Sequence, residues 1–158
     1  MNGRMTACFE VCVSYGLSRT GLPAAPSFRK WVEATLKGRV RNANLAIRLV
    51  DEKEATSLNH HYRGKPYATN VLSFPAERPQ GLPADISFPI LGDIVLCAPI
   101  VAREAQEQQK VLNAHYAHLT VHGVLHLLGW NHEDIKEADA MEQLERNILS
   151  SLHIQDPY

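Results

Sequence analysis

One segment limits what this chain can fold into more than any other: His122-Gly-Val-Leu-His126-Leu-Leu-Gly129-Trp-Asn-His132. Residues four apart on a helix lie one above the other, so a helix here aims the imidazoles of His122 and His126 at one point. Two imidazoles so placed can share one ion, with Zn–N bonds of about 2.0–2.1 Å. A third ligand has to come from outside the helix. Gly129 supplies the route, because glycine reaches the left-handed conformation that stops a helix at little steric cost. The chain can then turn and bring His132 back toward the pair. Three histidines leave a tetrahedral ion one open position, the arrangement of a catalytic site, whereas a structural site is more often closed by four protein ligands. The expectation is one metal ion on His122, His126 and His132, with His122 counted among the catalytic residues as well.

The same helix carries His115 and His118, and these two, His122 and His126 fall within about 80° of one another at 100° per residue. A solvated polar face is the alternative reading of such a stripe. The apolar positions Ala114, Ala117, Val121, Val124, Leu125 and Leu128 lie beside the stripe, however, which puts the histidines at the wall of a pocket. His118 could pair with His122, but its third ligand would be unexplained. His60, His61 and His153 lack such partners and read as ordinary residues. The spacing H-x3-H-x5-H is also that of the metzincin proteases, where a glutamate general base follows the first histidine. Here that position is Gly123, which argues against peptide hydrolysis.

The rest of the chain reads as α+β, a single domain over residues 1–158. Thr6–Ser14 alternates as a strand, and Phe28, Trp31, Val32, Thr35 and Leu36 recur at helical spacing. Leu45–Val50 reads as a half-buried strand. Asp51 can cap a helix running to about Tyr62. Thr69–Phe74 is β-prone, and Pro75 to Pro89, with four prolines, reads as a surface loop. Leu91–Cys97 is a strand broken by Gly92. Pro99 suits the first turn of a helix reaching Lys110. Further helices run from about Ala114 to Leu128 and from about Asp134 to Ser150. The expected architecture is a small mixed sheet flanked by about five helices, with the metal-site helix central.

A net charge of −1 gives no global basic field, so a polyanion would have to meet a local patch. Lys65 and the run Lys37, Arg39 and Arg41 are candidates for guiding such a partner. Cys8, Cys12 and Cys97 are odd in number and show no CxxC spacing, so they read as small buried hydrophobes in a reducing compartment. No stretch is long and apolar enough for a membrane span, and Glu10 interrupts the one segment that resembles a secretory core. The expected location is the cytoplasm.

The signature H-G-x-L-H-L-x-G-(aromatic)-(Asp or Asn)-H, matched without a gap from His122 to His132, resembles that of the YbeY family of bacterial endoribonucleases. That family usually has aspartate where Asn131 stands. A second block, Leu58-Asn59-His60-His61-Tyr62-Arg63-Gly64-Lys65 with Thr69-Asn70-Val71-Leu72-Ser73-Phe74-Pro75, is similar to the family's, except for Pro66 and Ala68. Leu91-Gly92-Asp93-Ile94, then Met141-Glu142 and Glu145, extend the likeness. The resemblance implies a zinc-type metal, cleavage of single-stranded RNA, and work on the 3′ end of small-subunit ribosomal RNA and on defective ribosomes. RNA and the small ribosomal subunit would be the partners, with no DNA and no membrane. It also implies that Arg63 is catalytic, and a guanidinium does offer a two-pronged contact to phosphate. Two other readings stay open from the residues alone: a metal-dependent hydrolase of another substrate, and a non-catalytic ribosome-binding factor.

Overall fold

The computed structural model describes residues 7–158. Four strands and five helices follow one another as β1 (Cys8–Tyr15), α1 (Ala25–Leu36), β2 (Asn42–Val50), α2 (Glu52–Arg63), β3 (Val71–Pro75), β4 (Ile90–Cys97), α3 (Ala98–Glu107), α4 (Leu112–Leu127) and α5 (Ile135–Ser151). The strands form one sheet in the order β1-β2-β4-β3. β1 and β4 run parallel to β2, and β3 runs antiparallel to β4. The sheet is mixed and the fold is α+β, as the sequence suggests. Thr6, the expected first residue of β1, lies outside the described residues.

Side-chain alternation divides the core into two layers. Leu45, Ile47 and Leu49 of β2, with Ile94 and Leu96 of β4, face α1, α4 and α5 in the larger cluster. Val50, Leu72, Val95 and Cys97 point the other way and pack with Ala55 of α2. Helix α4 lies in the larger layer with most of its surface buried, including Tyr116, Val121, Val124 and Leu125. It therefore sits between the sheet and the helices α1, α3 and α5.

Local chemistry explains most boundaries. The side chains of Asp51 and Asp134 cap α2 and α5 by accepting from the N–H groups of Glu54 and Glu137, both at 2.8 Å. Pro99 stands in the first turn of α3, where it forfeits no helical hydrogen bond. Helix α4 starts at Leu112, two residues earlier than the apolar pattern implies, because its cap is Val111, which gives no side-chain signal.

Gly92 does not break β4. It lies inside the strand with φ at +142°, where the pairing with β2 skips Leu91. A Cβ there would stand 2.2 Å from the Phe74 carbonyl oxygen, so only glycine lets β3 close against β4. The cysteines depart from expectation. Cys97 is buried, but Cys8 and Cys12 are exposed, because β1 is an edge strand and no helix among the described residues covers its Cys8-Glu10-Cys12 side. Pro75 ends β3, and the connection from Ala76 to Pro89 is a largely exposed loop tied by Arg78 to the carbonyls of Pro83 and Ile86. Among the described residues no helix is long and apolar enough to cross a membrane.

Candidate metal centre

Helix α4 delivers the first two histidines. Their Nε2 atoms face each other 3.0 Å apart, with ring centroids 4.5 Å apart. At the end of α4 the Gly129 N–H donates to the His126 carbonyl and the Trp130 N–H to that of Leu125, both at 3.0 Å. This is the two-bond stop that a left-handed residue permits, and Gly129 has φ at +98°. The turn carries His132 back until its ring lies 5.5 Å from that of His122 and 4.9 Å from that of His126. One ligand atom from each histidine falls within 4.8 Å of the others. The three residues singled out by spacing are thus brought together, and they can hold a metal ion.

The donor chemistry fits a cation. Glu145 of α5 is fully buried, and its Oε1 lies 2.5 Å from Nδ1 of His122. The Nδ1–H donates to the carboxylate, so the lone pair of His122 is at Nε2, facing His126. Burial and then the neighbouring His122 and His132 push His126 down to about 4, which leaves it neutral and able to ligate near pH 7. Two nitrogen lone pairs 3.0 Å apart repel unless a proton or a metal lies between them. Around a tetrahedral ion with the bond lengths of zinc, neighbouring nitrogens are about 3.3 Å apart. Burial raises the Glu145 pKa, but hydrogen bonds from His118, His122 and Tyr158 outweigh it and hold the group at about 2. A buried carboxylate ionised in this way calls for positive charge nearby.

The other helical histidines are occupied elsewhere. His115 is buried with Nε2 3.0 Å from Glu104, and His118 turns Nε2 toward Glu145 at 3.2 Å. His60, His61 and His153 are exposed. Gly123, where a metzincin carries its base, is packed into the sheet: a Cβ would meet the Ile94 side chain at 3.1 Å and Ser73 Oγ at 3.2 Å. The glycine serves close packing of α4 on β3 and β4, and no carboxylate fits there. Asn131 is exposed, and the carboxylate that orients a ligand is Glu145 instead.

Arg63 ends α2, and its guanidinium donates to the Ser73 carbonyl at 3.2 Å and lies 6.0 Å from the Phe74 ring centre. The Ser73 hydroxyl in turn donates to the Gly123 carbonyl at 3.4 Å, so one strand residue links Arg63 to the helix turn beside His122. Arg63 lines a cleft of about 780 Å³ together with Arg48, Tyr62, Phe74 and Asp93. Lys65, Lys37 and Arg41 are exposed, while Arg39 caps α1 by donating to the Thr35 carbonyl at 3.0 Å.

The family model described as Endoribonuclease YbeY matches residues 22–153. The chain belongs to the YbeY family. The Endoribonuclease YbeY of Xanthomonas campestris is 74% identical over 149 residues, which cover 94% of this chain and 92% of that protein. That of Stenotrophomonas maltophilia is 73% identical over the same coverage. A Thermotoga maritima protein solved in solution has the same fold, with a TM-score of 0.59 at 22% identity, covering 90% of this chain and 91% of that one. The YbeY resemblance read from the motifs therefore extends over nearly the whole chain.

The role of Glu145 is what the YbeY signature alone did not disclose. Its signal was present in the sequence: Glu145 interrupts the apolar stripe formed by Met141, Ile148 and Leu149 on α5. A carboxylate on a core-facing stripe needs a buried partner.

Proposed function

We propose that this endoribonuclease cuts single-stranded RNA with one metal ion held by His122, His126 and His132, and that its substrate is the 3′ region of small-subunit ribosomal RNA. The observation that carries the reading is the convergence of three imidazole nitrogens within 4.8 Å in a chain of this family. When bound, a zinc-type ion supplies Lewis-acid polarisation of a phosphate oxygen or of attacking water. The chain's own residues supply the rest. Glu145 keeps the His122 proton on Nδ1 and so keeps Nε2 free. Arg63, exposed and lining the cleft, is proposed as the catalytic arginine that grips the scissile phosphate.

A preference for single strands finds support in Tyr62, which is 62% exposed and packs against Phe74 at 5.0 Å between ring centres. An exposed tyrosine ring beside a cation suits an unpaired base and its phosphate, which a duplex cannot present together. On this reading the enzyme works in the cytoplasm as one domain, with the small ribosomal subunit as its partner. The test is cleavage of a single-stranded ribosomal RNA fragment and of its duplex by wild type and Arg63→Ala. The expected result is cleavage of the single strand only, lost in Arg63→Ala with metal content unchanged. Equal cleavage of both forms, or full activity in Arg63→Ala, contradicts the reading. The product ends separate two routes, since a 2′,3′-cyclic phosphate would exclude attack by water.

A further inference from the structure

The segment after α5 does not trail into solvent. It turns at His153, where φ is +60°, and the Ile154 N–H donates back to the Leu149 carbonyl at 2.9 Å. Lys110 Nζ then donates to the Pro157 carbonyl at 2.8 Å. Asp156 pairs with Arg146 at 3.2 Å and accepts from the Tyr158 N–H at 2.9 Å. These ties lay the Tyr158 ring edge-on to His118, 5.2 Å between centres, with the Arg146 guanidinium 5.1 Å from the ring centre on α5. The Tyr158 hydroxyl donates to Oε2 of Glu145, the oxygen that also faces His118 Nε2. Tyr158 also borders the same small depression, about 280 Å³, as His122, His132 and Glu142.

We propose that Glu145 and Tyr158 are positioning residues of the metal centre, the first fixing His122 and the second, with His118, fixing the carboxylate. Among the described residues, Glu145 is the hydrogen-bond partner of His122 Nδ1. An imidazole on a helix face can rotate about two bonds and can carry its proton on either nitrogen. One carboxylate at 2.5 Å selects both the ring orientation and the tautomer that leaves Nε2 for the ion. The carboxylate has the same problem one step further out. With no solvent contact, it keeps its charge and direction only if each oxygen has a donor. Oε1 takes His122, and Oε2 takes His118 and Tyr158. Removing the Tyr158 hydroxyl leaves Oε2 with one donor at 3.2 Å, so the carboxylate can turn and His122 loosens.

This inference rests on the metal reading, and the experiment separates the two. Zinc dissociation constants are measured by competition with a chromophoric chelator for wild type, Glu145→Gln and Tyr158→Phe. The His122 tautomer is read by nitrogen-15 NMR of the metal-free proteins. The expected result is about 10–100-fold weaker zinc binding in Glu145→Gln and about 10-fold weaker in Tyr158→Phe. In both, metal-free His122 passes from the Nδ1–H form to a mixture. Tyr158→Phe keeps the ring and sits at the surface, so it decides the matter even if Glu145→Gln folds poorly. Wild-type zinc affinity together with a wild-type His122 tautomer in Tyr158→Phe overturns the proposal for Tyr158, and the same result in Glu145→Gln overturns it for Glu145. Absence of zinc uptake by the wild type defeats the metal reading instead, and the tautomer comparison still judges the positioning roles.

Discussion

Replacing Gly92 by alanine tests whether the close approach of β3 to β4 requires a residue without a Cβ. The added Cβ would lie 2.2 Å from the Phe74 carbonyl oxygen and 3.0 Å from the Ala76 nitrogen. Both are backbone atoms, so no change of rotamer relieves the clash. The strand must open, which threatens the Ala76 N–H to Leu91 carbonyl bond of 2.9 Å. A glycine-only backbone angle costs other residues about 1–3 kcal/mol, and a lost ladder bond adds about 0.5–1.5 kcal/mol. A destabilisation of about 3 kcal/mol is the expected outcome. With a urea slope of about 2 kcal/mol per molar, the unfolding midpoint falls by about 1.5 M. Gly123→Ala is the control: its contacts are with the Ile94 side chain and Ser73 Oγ at 3.1–3.3 Å, and helix propensity returns about 0.8–1.0 kcal/mol. That variant should stay within about 1 kcal/mol of wild type. A midpoint for Gly92→Ala within about 0.3 M of wild type would refute the reasoning.

In the metal-free protein, His126 has a folded pKa near 4, below its ordinary 6.5, so its contribution to stability is complete above pH 6.5 and is lost as pH falls toward 4. Glu145, held near 2, likewise contributes above pH 4.5 and loses that contribution below it. Stability against urea measured from pH 7 to pH 4 should therefore drop by about 2–3 kcal/mol from His126 alone, and His126→Gln should flatten that part of the profile. Asp134→Ala removes the cap of α5 and should cost about 1 kcal/mol by thermal unfolding, with weaker zinc retention because the cap lies two residues from His132.

The parts of this molecule that announce themselves in sequence are those built from neighbours along the chain. The i, i+4 histidine pair, the glycine stop and the returning His132 are all local, and so are the caps Asp51 and Asp134 and the proline in the first turn of α3. What stays hidden depends on pairings between distant segments. The parallel and antiparallel choices in the sheet, and the exposure of Cys8 and Cys12 on its edge, follow from which strand lies beside which. Gly92 reads as a strand breaker until the Phe74 carbonyl is seen against it. Gly123 reads as a missing base until Ile94 and Ser73 are seen to need its space. The carboxylate that orients His122 comes from a residue 23 positions away, on another helix. Arg63 is tied to α4 through Ser73, which no spacing rule connects to either.

The measurement that bears most directly on the central claim is metal content paired with cleavage of a single-stranded ribosomal RNA fragment, for wild type and His126→Ala. One ion per chain and cleavage in the wild type, both lost in a His126→Ala protein that still unfolds cooperatively, is the result this account predicts. Cleavage that survives in a metal-free His126→Ala protein would contradict it.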